Sequence, residues 1–287
     1  MPIAVARVAL LSPDEAWLEG IRVDPRVRGM DVATDLQVAE LHWAAEHGAR
    51  VVRYATGSGN EASHRLGARH GFELLVALHT WSWHDPDAPE DGEEDDESGF
   101  DAVARARASE TRRQALDRLA QRGLVADRDA ADELWRRVND DATFVAAHRL
   151  YESRPWAMAE LTEQRFARHC GGGEVVVVDK AEAGWALAVF EREAQPSEDL
   201  SFHLSLLVGA GAAALSLVNV IREAVGESIR FRLPEPDPPL VRDHAGALLA
   251  WGFRAREWTL HILGRLLDEQ HPPPALPPHV DLRAGIG

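Results

Sequence analysis

Leu18-Glu19-Gly20-Ile21-Arg22-Val23-Asp24-Pro25-Arg26-Val27-Arg28-Gly29-Met30-Asp31-Val32-Ala33-Thr34-Asp35-Leu36 is the stretch that decides the fold. Its first six residues read as a strand, Asp24-Pro25 ends it, and from Val32 apolar residues recur at helical spacing through Leu36, Ala39 and Trp43 to a stop at Gly48. A helix that starts straight after a strand presents backbone N–H donors and the positive end of its dipole, an arrangement suited to a diphosphate.

Outward from this stretch the same alternation continues. Residues 3–11 and 15–23 read as a hairpin around Ser12-Pro13-Asp14. Residues 51–56 read as a strand, Asn60 starts a helix that runs to His70-Gly71, and 72–83 return as a strand. This βαβαβ order implies a mixed sheet with helices against it. Residues 85–98 are dense in Asp and Glu with two prolines, which predicts a solvated tether.

Beyond the tether the pattern predicts helices over 101–122, 128–138 and 141–151, with a further helical stretch through 154–169. Strands follow at 174–179, 184–193 and 200–208, then a helix at 212–224, a strand at 228–233, a helix at 242–251 and a last strand at 253–263. The closing part repeats the logic of the opening one, so a degenerate tandem repeat is expected. Trp156 and Trp258 are expected in its core, and the proline-rich tail after Leu267 is expected to be extended or disordered.

Composition limits the partners. A net charge of −16 argues against nucleic acid and anionic membranes, both of which draw affinity from Lys and Arg. No apolar run approaches the roughly 18 residues of a membrane span, and no secretory leader is readable, so a soluble cytoplasmic protein is expected. The single cysteine, Cys170, excludes an internal disulfide and a cysteine-built zinc site. His79 and His84 are too sparse to predict a metal. Neither a Walker-type loop nor a Gly-x-Ser-x-Gly turn is present.

The residues of the opening segment resemble the GNAT superfamily of N-acetyltransferases. Ile21-Arg22-Val23-Asp24-Pro25 matches the family's signature strand, Arg28 its leading basic residue, Gly29 and Ala33 its small residues, and Leu36 its helix leucine. Asn60, Ser63, Leu66-Gly67 and Gly71-Phe72 follow the family's downstream order, and about 80 residues are covered. The resemblance implies an α/β (α+β) protein of two GNAT-like modules, each with a mixed central sheet flanked by helices. Their expected bounds are a partial acetyl-coenzyme A-binding module over 1–84, a linker over 85–100, a degenerate module over 101–267 and a tail over 268–287. The family opens with a strand and two helices before the first strand read here, so the first module is expected to lack them. The exposed edge left by strand 3–11 makes a homodimer plausible.

The function implied is transfer of an acetyl group from acetyl-coenzyme A to a primary amine. Ile21, Arg22 and Val23 would pair with the pantetheine arm; Gly29, Met30, Asp31, Val32, Ala33 and Thr34 would offer amides to the pyrophosphate beside Arg28; Asn60 would sit near the thioester. Glu19, on the same strand face as Val23, is the candidate base for the incoming ammonium. His42, His64 and His70 are alternatives by pKa.

Two residues depart from the family. Asp31 stands where a glycine is usual, and a unit charge about 5 Å from a phosphate costs ~3 kcal/mol at an effective dielectric near 20, a loss on the order of a hundredfold in affinity. Its other reading is a carboxylate that caps the helix's own orphan amides. Gly67 stands where the family often carries a tyrosine that protonates the leaving thiolate. These departures motivate the alternative of a weak or inactive relative that serves as an acyl-coenzyme A sensor or interaction module. In the second module, Val208-Gly209-Ala210-Gly211-Ala212 is flexible but lacks a leading arginine, which predicts a structural role.

Overall fold

The computed structural model describes residues 2–84, 102–190, 202–226 and 228–277. In chain order the elements are β1 (Ala4–Ser12), β2 (Glu15–Val23), α1 (Val32–Glu46), β3 (Val51–Gly57), α2 (Glu61–Arg69) and β4 (Glu73–His84). Next come α3 (Ala102–Gln121), α4 (Ala131–Asn139), α5 (Ala142–Ala146), β5 (Leu150–Arg154), β6 (Ala157–Glu160), α6 (Glu163–Gly172), β7 (Val175–Lys180) and β8 (Gly184–Val189). The chain closes with β9 (Phe202–Leu204), β10 (Leu206–Gly209), α7 (Gly211–Val225), β11 (Ser228–Pro234), α8 (Pro239–Ala250), β12 (Arg254–Ala255) and β13 (Leu260–Leu266). The fold is mixed α/β, as the strand and helix periodicities imply. The expected linker over 85–100 lies outside the described residues, as does the tail beyond 277.

Two compact units form, and their bounds differ from the expected ones. The first holds residues up to Ala77, the short piece Trp156–Ala159, and everything from Leu260 onward; the second holds Leu78–Pro155 and Glu160–Thr259. The difference comes from the last strand. Residues 253–263 were expected to close the second module, yet the strand begins at Leu260 and runs antiparallel to β3, with Leu260 opposite Gly57 and Leu266 opposite Val51.

In the first unit β1 and β2 form the expected hairpin, β2 runs parallel to β3, and β13 lies on the other side of β3. Ala16, Leu18, Leu41, Ala44, Val52, Phe72 and Leu263 make the core between this sheet and its helices. Gly264 is small for a reason: a Cβ there would come within 2.5 Å of Leu75 Cδ1. A buried ion pair, Arg53 Nη1 to Glu15 Oε1 at 2.6 Å, ties β2 to β3 at the end where they still pair. The tail is not loose over its described part. His42 Nε2 donates to the Pro274 carbonyl at 2.6 Å, and Arg265 reaches the carbonyls of His70, His271 and Pro272.

In the second unit the end of β4 pairs antiparallel with β11, from Leu78–Pro234 to His84–Ser228, and β11 runs parallel to β9. A separate antiparallel sheet has the order β10–β8–β7. The almost wholly apolar α7 is accounted for by its burial: Ala213, Ala214, Leu217, Val218, Ile221 and Ala224 pack with Phe190, Phe202, Phe231 and Phe253. Three expectations fail here. The helix expected over 141–151 ends at Ala146, because His148 and Arg149 adopt positive φ before β5; and 154–169 opens with Trp156 at positive φ and β6, so its helix starts only at Glu163, capped by Thr162. Trp258 is 37% exposed rather than in the core, with the Arg256 guanidinium 5.3 Å over its ring.

Glu40 on α1 is 5% exposed, its carboxylate oxygens have no hydrogen-bond partner, and burial pushes its pKa up to about 8. The raised folded-state value means that the neutral acid is kept in the fold while the unfolded chain ionises near 4.5. Stability from this group is therefore full below that pH and lost as pH rises through about 8. Urea titrations should show Glu40→Gln matching the wild type at pH 4.5 and exceeding it at pH 8 by on the order of 3 kcal/mol.

Candidate active site

The site is built by an interruption in the sheet. Parallel pairing of β2 with β3 covers Glu15–Val51, Ala16–Val52 and Trp17–Arg53. The next residues of both strands, from Leu18 and from Tyr54, line a cleft of about 900 Å³. The local cause lies in β2. Val5 faces Arg22 while Arg7 faces Glu19, so Gly20 and Ile21 together oppose one residue of β1, and Gly20 sits at φ 71°. Such a bulge bends its strand, and glycine is the residue that takes the left-handed conformation without steric cost.

The cleft continues from the splayed strands to the start of α1. Of the residues singled out by sequence, Glu19, Ile21, Arg22, Val23, Arg28, Gly29, Asp31, Val32, Ala33, Thr34 and Asn60 line it, whereas Met30 does not and is 66% exposed. Gly29 has φ 79°, and no atom lies within 4 Å of where its Cβ would be, which leaves the turn's backbone open to an approaching group. Arg28 Nε donates to the Val23 carbonyl at 3.3 Å, so the leading arginine steadies the end of β2. Asn60 caps α2, its side-chain oxygen accepting from the Ser63 amide at 3.2 Å.

Asp31 behaves differently from the expected cap. It occupies the N-cap position of α1 at φ 57°, but its side chain makes no capping bond. The left-handed backbone turns the carboxylate away from the helix amides, and Arg69 Nη1 takes it at 3.3 Å while also donating to Thr34 Oγ1 at 2.9 Å. The helix start is thus left uncapped by its own side chain, and the offending charge has a cation beside it. Arg22, Arg28, Arg65 and Arg69 all line the cleft. In a chain of net charge −16 that concentration is local.

Glu19 lines the cleft next to the bulge and is 29% exposed, with Arg7 Nε 3.1 Å from its carboxylate. The alternative histidines lie elsewhere: His42 holds the tail, His64 packs edge-on against His261, and His70 Nδ1 pairs with Gln37 Oε1 at 2.5 Å. Burial, with Arg265 and Arg69 nearby, holds His70 below its usual pKa.

Sequence reading missed Tyr54. This residue follows Arg53, the last residue of β3 paired with β2, lines the cleft, and donates from its hydroxyl to the Ser63 carbonyl at 3.1 Å. A Cβ on Gly67 would collide with that hydroxyl. Gly67 is therefore small because Tyr54 fills the space beside it, a relation between two elements that no local motif displays.

The corresponding turn of the second unit is closed. Asp141, capping α5, accepts from the amides of Thr143 and Phe144 and also from Gly209. A Cβ on Gly211, at the start of α7, would come within 2.8 Å of the Pro239 carbonyl oxygen. No group of three or more His, Cys, Asp or Glu able to hold a metal occurs among the described residues. Cys170 is buried, which pushes its thiol up to about 11. Among the described residues no helix is long and apolar enough to cross a membrane.

Residues 2–72 match the family model described as Acetyltransferase (GNAT) family. No curated protein sequence matches the chain. Among solved structures, a GCN5-related N-acetyltransferase from Sphaerobacter thermophilus aligns over 92% of this chain and 76% of its own, at 14% identity and a TM-score of 0.50, a likeness of fold. One from Kribbella flavida aligns over 94% and 58% at 15% identity with a TM-score of 0.37. A tandem GNAT protein from the clavulanic acid biosynthesis pathway, solved without AcCoA, aligns over 92% and 79% at 12% identity with a TM-score of 0.42.

The shared volume of Gly67 and Tyr54 gives a double-mutant test. Gly67→Ala should lower stability by about 1–3 kcal/mol in the wild-type background through overpacking, and by clearly less in Tyr54→Phe, where the colliding oxygen is gone. Thermal or urea denaturation of the four proteins reads the coupling.

Proposed function

We propose that this chain, which carries a GNAT acetyltransferase segment over residues 2–72, transfers an acetyl group from acetyl-coenzyme A to a primary amine. The observation that supports it best is the continuity of one cleft from the splayed β2 and β3 to the uncapped start of α1. An extended amide-bearing arm fits against the strand backbone of Ile21 to Val23, whose other edge pairs with β1. A diphosphate fits against the amides from Gly29 to Thr34, with arginines close by to balance its charge.

Glu19 acts as the base on this reading. The incoming amine arrives as an ammonium, and only the free amine attacks; a carboxylate at the cleft wall accepts the proton, directly or through one water. Asn60 orients the reacting end from the start of α2. Holding amine and thioester together supplies much of the rate by proximity. The second unit, with its turn filled by Asp141 and Pro239, is read as a degenerate module without a donor site of its own. The protein works in the cytoplasm on this reading, where acetyl-coenzyme A is made available.

Asp31 favours a second reading, in which the donor binds weakly and the protein senses acyl-coenzyme A rather than turning it over. Arg69 argues against a large penalty. With its guanidinium 3.3 Å from the carboxylate, most of the ~3 kcal/mol repulsion is offset.

Calorimetry with acetyl-coenzyme A separates these readings. Asp31→Gly should tighten binding by about tenfold, well short of the hundredfold expected for an unpartnered charge, and Arg69→Ala should weaken it. Glu19→Gln should leave binding intact and lower kcat for an amine acceptor by on the order of 10². A hundredfold gain in Asp31→Gly with turnover only in that variant would establish the sensor reading.

A further inference from the structure

We propose that Tyr54 delivers the proton to the departing thiolate, from β3 rather than from a helix. This rests on the acyl-transfer reading above.

When an amine attacks a thioester, its lone pair forms the C–N bond at the carbonyl carbon. The C–S bond then breaks and its electron pair leaves on sulfur. Glu19 has by then taken one proton from the ammonium; the second, released from nitrogen as the amide forms, passes to water, and the sulfur must gain a proton to leave as a thiol. The group that gives it has to stand near the point where the strands part, since that is where an acyl end threaded between β2 and β3 comes to rest.

Tyr54 is the first residue of β3 beyond the parallel ladder with β2. Among the described cleft residues it is the one phenol, the other hydroxyls being Thr34, Thr56 and Ser63. Its ring is fixed by an edge-on contact with Phe72, centroids 5.0 Å apart, and its body is almost wholly buried, so the hydroxyl has few alternative positions. The hydroxyl donates to the Ser63 carbonyl one turn into α2, beside Asn60. Exchanging that carbonyl for a thiolate as acceptor costs little, because the carbonyl belongs to a helix. Burial raises the phenol above its ordinary pKa, which keeps it protonated at neutral pH.

The placement also explains Gly67. Position 67 on α2 and position 54 on β3 compete for one volume, and in this chain the hydroxyl enters it from the strand. After transfer, the tyrosinate regains its proton from solvent.

Steady-state kinetics of wild type and Tyr54→Phe with two acetyl donors test this. With acetyl-coenzyme A, whose thiol is a poor leaving group, kcat of Tyr54→Phe should fall on the order of 10²-fold while the calorimetric affinity for coenzyme A stays unchanged. With acetyl thioesters of acidic aromatic thiols, which leave without a proton, the two proteins should turn over alike. An equal loss with both donors would make Tyr54 a positioning residue, and no loss with either would remove its role; both outcomes overturn the proposal. Wild type that binds no coenzyme A would instead overturn the donor assignment underneath, with the Tyr54 proposal falling with it.

Discussion

One bulge governs the site. With Gly20 in the left-handed region, two residues of β2 oppose one of β1, and the strand bends away from β3 after three paired positions. A parallel sheet that stayed zipped would satisfy its backbone groups internally and present no wall to a ligand. Here the edge of Leu18 to Val23 and that of Tyr54 to Thr56 face one cleft instead. The cost of parting them is met where they still touch, through the Glu15–Arg53 ion pair and the core around Trp17 and Val52. That pair is nearly fully buried, so breaking one partner would strand a charge, whereas the pair itself fixes the point at which the strands separate.

The second constraint is electrostatic. The turn proposed to hold a diphosphate carries a carboxylate, Asp31, in a chain already rich in acidic groups. The fold handles it by conformation rather than by composition. At φ 57° the Asp31 side chain leaves the helix amides uncapped, and Arg69 from α2 spans the opening to both Asp31 and Thr34. Both partners of that ion pair are well exposed, so it adds little to stability. On the proposed reading its consequence is for ligand charge, since the Arg69 guanidinium stands beside the Asp31 carboxylate at the start of α1.

The first 84 residues were legible almost element by element, because each strand and helix there ends in local chemistry: Ser12-Pro13-Asp14, Asp24-Pro25, Gly48, the Asn60 cap, Gly71. The glycine-led turn could be found for the same reason, and Glu19 was singled out by its place on the signature strand. What could not be read were relations between distant segments. β13 belongs beside β3, some 200 residues earlier, and nothing in its own short apolar run says which strand it pairs with. Arg69, Tyr54 and Gln37 looked like ordinary helix and strand residues and acquire meaning only from what they face. Met30 sits inside the motif but points to solvent, since a motif fixes backbone and not which way each side chain turns. The segment around His148, Arg149 and Trp156 read as helical because the positive φ values that break it fall on residues that seldom adopt them.

The most direct test of the central claim is hydrogen–deuterium exchange with and without coenzyme A. Protection is expected at the amides of Ile21 to Val23 and of Gly29 to Thr34, with none gained at the start of α7. Unchanged exchange in both of those stretches under saturating ligand, or protection confined to the second unit, would contradict the account.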